Sequence, residues 1–247
     1  NDRVVKNTVV SKRQAHEFSW DTPRGVAHRA FSFFIFNTHH KMLLTRRALS
    51  KITFPGVWTN TCCSHPLHNM VPDEVDRDDD AYPHFPGIKH AAVRKLKHEL
   101  GIEKEYLSPS DMQFVSRFHY WAADTHTYGK TAPWGEHEVD YVIFLKCDVE
   151  PPIVANQDEV SEYKYVSIDE LKDMFQDPSL EWSPWFRGIM EGGGFAWWQD
   201  LDATLQGVHT HKEVHFFDPP QDHFAEYNLD SHTKLTGVLE VTPTKQH

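Results

Sequence analysis

The chain has 247 residues, 39% of them hydrophobic and 13% aromatic, with a formal charge of −11. That is enough apolar material for a substantial core, and the acidic balance argues against nucleic acid as a general partner, because phosphate neutralisation needs a basic face. Three cysteines do not make a secreted disulfide framework, and no run of about 18 apolar residues is available for a transmembrane helix.

The start, "NDRVVKNTVVSKRQAH", lacks the apolar stretch of a signal peptide. A reducing, intracellular compartment is the expectation, the cytoplasm first. Plastid and peroxisome stay open, because a chain without an initiator Met can lack its targeting segment. Eighteen histidines make a metal site thinkable without placing one.

In chain order, "HRAFSFFIFN" (28–37) and "KMLLTRRA" (41–48) read as the strands of a hairpin around a short polar turn, and "GVWTNTCCS" (56–64) as a third β-like segment. The acidic, proline-bearing stretch 70–87 is a loop. "IKHAAVRKLKHELG" (88–101) has helical spacing, with Ala92, Leu96 and Leu100 on one stripe and Gly101 as a stop. Two strands follow, "MQFVSRFHYWA" (112–122) and "HEVDYVIFLKCD" (137–148), then the strand-like "SEYKYVS" (161–167) and the short helix "IDELKDMF" (168–175). The segment 183–205 is helical in parts, with Gly192 to Gly194 interrupting it. From about Gln206 no clear period remains. Mixed strands around a central helix indicate an α+β fold with helices against a mixed sheet. Two units are expected, residues 1–205 as the main domain and 206–247 as a C-terminal extension or a linker toward a further domain.

Three short motifs could carry chemistry. In "WGEHEVDY" a strand would put Glu136 and Glu138 on one face and His137 on the other. Two carboxylates held close share either a proton or a cation; a solvated strand edge is the competing reading. Cys63 and His65 in "TNTCCSHP" are also two apart, so an extended segment sets thiol and imidazole on one face, with a half-buried strand as the plain alternative. The absence of a CxxC pair argues against a structural zinc motif. His16 and His28 are further candidates. Finally, "RKLKHELGI" (94–102) lies over the core of the Nudix box, R-E-U-x-E-E-x-G-U, where U is apolar. Arg94, Leu96, Glu99, Gly101 and Ile102 match, but Lys95 and His98 stand where the box has glutamates, and the upstream Gly and Glu positions fall at Asp80 and Pro86. The fold signal survives while the hydrolysis signal is damaged. Basic residues at Arg46, Arg47 and Lys51, and at Arg94, Lys95 and Lys97, are candidate anion sites.

Taken in order, "HRAFSFFIFN", "RRALSKITFPGVWTNTCCSHPL", "RKLKHELGI", "FHYWA", "WGEHEVDY" and "SPWF" resemble the blocks of the type 1 isopentenyl-diphosphate delta-isomerases, a Nudix-fold family, over roughly residues 10 to 200. The resemblance implies interconversion of isopentenyl and dimethylallyl diphosphate, a step of isoprenoid biosynthesis, and a mixed sheet flanked by helices. Matched by motif, it implies Cys63 and Glu138 as the acid/base pair, Tyr120 as a hydrogen-bonding group, and Trp185 as the aromatic facing the hydrocarbon end. It implies a divalent metal (zinc, manganese or magnesium) on His16, His28, His65, Glu136 and Glu138. A second ion, magnesium carried with the diphosphate, would use Glu99. Lys12, Arg47, Lys51 and Lys95 fall where the family places its diphosphate-binding side chains. The implied partner is a small-molecule substrate. A Nudix diphosphohydrolase and a non-catalytic Nudix-like metal-binding module are the rival functions.

Overall fold

The computed structural model describes residues 9–77, 81–218 and 220–228; Asp80 and the part of the extension beyond residue 228 lie outside them. Its centre is β1 (His28–Phe36), the apolar segment of the expected hairpin. Successive side chains of a strand point to opposite faces, and here both faces are covered: Phe31, Phe33 and Ile35 enter one core, Phe34 and Phe36 the other. A fully buried Phe side chain contributes about 1.5–3 kcal/mol, so this strand alone anchors two layers.

β2 (Met42–Arg47) returns antiparallel to β1 through the pair Phe36–Met42, as the polar turn predicts. The third β-like segment divides into β3 (Trp58–Thr59), which pairs with β2, and β4 (Cys62–Ser64), which pairs with β1. The break has a cause: the Asn60 amide donates to the carbonyls of Phe33 and Cys62, and Thr45 Oγ1 donates to the Asn60 carbonyl, so side chains replace ladder bonds where the chain changes partner. β5 (Gln113–Ala123) and β6 (Gly135–Lys146) form a long antiparallel pair, and β6 runs parallel to β1, with His28 opposite Glu138. β7 (Val160–Val166) adds to β2. A last strand, β8 (Val214–Phe216), which the sequence pattern does not announce, pairs in parallel with β5. The result is an eight-stranded mixed sheet.

Helices cover both faces. α1 (Lys12–His16) is short and held by a capping box between Ser11 and Gln14. α2 (Pro86–Leu100) starts with proline in its first turn and ends at Gly101, whose φ of 65° is the left-handed stop the sequence indicates. Its stripe Ile88, Ala92, Leu96, Leu100 packs on Phe31, Phe33 and Tyr141. A single turn, α3 (Thr125–Tyr128), follows β5. α4 (Ile168–Gln176), α5 (Pro184–Ile189), α6 (Phe195–Gln199) and α7 (Leu201–Leu205) lie on the other side. Between α5 and α6 the chain makes a wide turn (Met190–Gly194) in which Gly193 has φ 150°, so the glycines do interrupt the helix. Among the described residues no helix is long and apolar enough to cross a membrane.

Candidate active site

Glu136 and Glu138 project from the start of β6 onto one face, and both are buried. His28 is placed beside Glu138 by the β1–β6 register, His65 arrives from the end of β4, and His16 from α1. The three imidazole rings sit 4.7 to 4.9 Å from one another. One donor atom from each of the five residues lies within 4.8 Å of all the others.

The hydrogen bonds decide what these atoms can do. His16 Nδ1 is 2.6 Å from the Lys12 carbonyl and His28 Nδ1 is 2.7 Å from the Val26 carbonyl. A carbonyl only accepts, so each Nδ1 carries the proton and each Nε2 keeps its lone pair. Yet His16 Nε2 is 2.9 Å from Glu136 Oε2, whereas His65 can donate its Nε2–H to Glu138 Oε1 at 2.8 Å. Buried His28 Nε2 and Glu136 Oε2 make no hydrogen bond. Lone pairs facing one another in a buried space need a shared cation. Three neutral imidazoles and two carboxylates, with backbone carbonyls fixing two of the rings, are a donor set that suits a divalent metal. A proton is the substitute when no metal is bound: burial works against a charged His16, but Glu136 and Glu138 outweigh it and raise its pKa. His65 is pushed down to about 4, chiefly by burial.

The groups around this cluster have complementary protonation. Burial pushes the Cys63 thiol up to about 12, against the opposing charge of Arg47, so it stays protonated at neutral pH. Burial acts against ionised Glu138 too, but the imidazoles of His28 and His65 hold its pKa well below the usual carboxylate range. Tyr120 on β5 is a buried phenol, raised by burial and by the charge of Glu138, and its hydroxyl donates to Glu138 Oε2 at 2.5 Å. Trp185 on α5 is fixed by an N–H bond to Asn60 Oδ1 at 3.2 Å and by the edge of Phe54. Cys62 points away from Cys63 into the core under α2.

Cationic side chains line the same cavity. Arg47 donates to the carbonyls of Phe54 and Thr53 and lies 5.5 Å from the Trp185 ring centroid. Lys51 and Lys95 both pair with Glu159, and Lys95 also reaches Glu99 at 2.9 Å. Lys12 is held below the usual lysine range by burial and then by repulsion from Lys51, with Lys95 and Arg47 adding to it and Glu136 pulling the other way. Cations crowded to that degree make a place for a polyanion. The acid/base, metal and diphosphate residues expected from the sequence line this cavity, apart from His28, which joins through the His/Glu cluster; of the basic candidates, Arg46, Arg94 and Lys97 do not, and pair instead with Glu162, Glu74 and Glu103. Lys95 and Glu99 come together as one ion pair on α2, so no carboxylate cluster of the hydrolytic Nudix kind forms there.

A family model for the NUDIX domain matches residues 26–186. The isopentenyl-diphosphate delta-isomerase of Schizosaccharomyces pombe is 46% identical over 198 residues, 78% of this chain and 78% of that one. The chain belongs to the isopentenyl-diphosphate delta-isomerase family. Similarity within that isomerase family extends to the isopentenyl-diphosphate Delta-isomerase 1 of Mesocricetus auratus, 39% identical over 208 residues, 83% of this chain and 84% of that one.

Several residues of this candidate site escape a reading by motif. Thr53 donates to Glu136 Oε1 at 2.9 Å, Ser64 lines the cavity beside Cys63, and Asn60 positions Trp185. Asp140 continues the alternation of Glu136 and Glu138 on β6; its carboxyl accepts from Ser32 Oγ at 2.7 Å and is raised well above the usual range by burial and by Glu138. Only Asp140 had a signal in the sequence, the period of two in "GEHEVD".

Proposed function

We infer that the protein interconverts isopentenyl diphosphate and dimethylallyl diphosphate, with Cys63 and Glu138 as its acid/base pair. The single observation that supports the residue assignment is geometric: Cys63 and Glu138 line one cavity, and the Tyr120 hydroxyl donates to the Glu138 carboxylate.

Moving the double bond needs a proton added at the terminal alkene carbon and another removed from the allylic carbon on the diphosphate side. An alkene is a very weak base, so charge develops on the tertiary carbon between them. Two groups that hold one proton between them can give on one side and take on the other. Tyr120 orients the Glu138 carboxylate and keeps it from rotating. Trp185 offers a π face to the developing cation, a contact worth up to about 2 kcal/mol when desolvated. Lys12, Arg47, Lys51 and Lys95 hold the diphosphate and oppose its loss as a leaving group, the side reaction that a carbocation invites. His16, His28, His65, Glu136 and Glu138 would hold a divalent ion, and Glu99 would meet a magnesium ion carried by the diphosphate. The ion in the His/Glu cluster would keep Glu138 ionised and tune its proton affinity.

The test is a set of three variants. Cys63→Ala and Glu138→Gln are each expected to lower kcat by about 100-fold or more, while Cys62→Ala keeps most of the activity. Equal losses at both cysteines would reject the assignment between them. Unchanged turnover in Cys63→Ala would reject Cys63 as a member of the acid/base pair, and no turnover in the wild-type protein would favour a binding module.

A further inference from the structure

Residues 206–228 follow the last residue matched by the NUDIX family model, and no motif in the sequence gives them a task. In the structure they return to the site. β8 covers the open edge of β5 in the register Arg117–Val214, Phe118–His215, His119–Phe216. The next residue, Phe217, donates its N–H to the His119 carbonyl at 3.4 Å and is thereby carried alongside Tyr120. The two rings stack in parallel and offset, with centroids 5.2 Å apart and planes 9° from parallel.

Phe217 is itself clamped from behind. A Cβ on Gly188 would stand 2.4 to 2.7 Å from three atoms of the Phe217 ring, so only glycine lets α5 approach so closely. α5 also carries Trp185, whose ring lies 6.3 Å from Tyr120. Tyr120 and the helix that carries Trp185 therefore both pack on one side chain outside the family-model match.

We propose that residues 211–217 are part of the catalytic unit, and that Phe217 is a positioning residue that holds the Tyr120 ring so its hydroxyl stays on Glu138. This rests on the acid/base reading of Glu138 given above. The physical reason is the small tolerance of a proton-transfer site: a displacement of about 1 Å can cost up to about 100-fold in rate. A Phe217 ring stacked on Tyr120 and pressed against Gly188 has little freedom to slide.

A double-mutant cycle on the full chain tests the coupling. Isopentenyl diphosphate turnover is measured for wild type, Phe217→Ala, Tyr120→Phe and the pair. Phe217→Ala should lower kcat about ten-fold with KM within about two-fold, and should have no further effect when the hydroxyl is already gone. Gly188→Ala, whose methyl would displace the ring, should reproduce the kcat loss, and Phe217→Tyr, which keeps the ring, should restore the rate. If Phe217→Ala does not fold by circular dichroism, Phe217→Leu takes its place in the cycle. Wild-type kcat in the substituted protein, or equal losses with and without the Tyr120 hydroxyl, overturns the proposal. Wild-type protein that does not isomerise the substrate overturns the functional reading instead, so the two failures are distinct.

Discussion

Cys63 is a thiol in a setting that would leave most cysteines inert. Burial and the carboxylates around it keep the proton on sulfur, with Arg47 the main opposing charge. Such a group suits slow, directed proton exchange with a substrate and not nucleophilic attack, because only the thiolate is a good nucleophile. In the substrate-free protein, alkylation of Cys63 by iodoacetamide at pH 8 should be about a hundred-fold or more slower than that of a free thiol, read by mass spectrometry of the Cys63 peptide. Labelling at the free-thiol rate would contradict the protonated state assigned here. The two residues after β4 and before β5 that flank it chemically, His65 and Glu99, were legible as candidates from type and spacing. Thr53, Ser64 and Asn60 were not, because single small polar residues in a bend or a strand-like stretch carry no period that separates a site from a solvated edge.

At the scale of elements, α2 shows what the altered Nudix box retains. Arg94 makes a paired contact with Glu74, at 2.6 and 2.9 Å, and donates to the His65 carbonyl at 3.1 Å. It ties the helix, the acidic loop and the end of β4 into one unit behind the site. Glu74 is only 2% exposed, so Arg94→Ala strands a buried carboxylate and should cost about 3 kcal/mol of stability, measured by urea unfolding; a loss below about 1 kcal/mol would mean that solvent replaces the arginine. Lys95, one position on, puts an ammonium where the box has a carboxylate and pairs it with Glu99. The hairpin, the β5–β6 pair, α2, β7 and α4 were all readable because each has a clean period and a turn or capping signal at its ends. α1 and β8 were not. α1 is five residues long, too short for a stripe, and β8 is three residues whose strand geometry is imposed by the free edge of β5 and not by their own sequence.

Across the whole molecule, the sheet brings together groups that are far apart in the chain: His16, His28, His65 and the two glutamates of β6 meet only because β1 lies between β4 and β6. An ion held by side chains that only folding assembles would bind the native state alone and so would stabilise the fold. Adding zinc or manganese to chelator-treated protein should raise Tm, by the equivalent of about 2.7 kcal/mol at a hundred times Kd, and His65→Ala should remove most of that shift. An unchanged Tm in both proteins would reject the cluster as a metal site.

Proton transfer to and from carbon exchanges hydrogen with solvent, so solvent deuterium reports on it directly. Isopentenyl diphosphate incubated with the protein and magnesium in deuterated water should yield dimethylallyl diphosphate that carries deuterium. Product without deuterium, or no dimethylallyl diphosphate at all, would contradict the account.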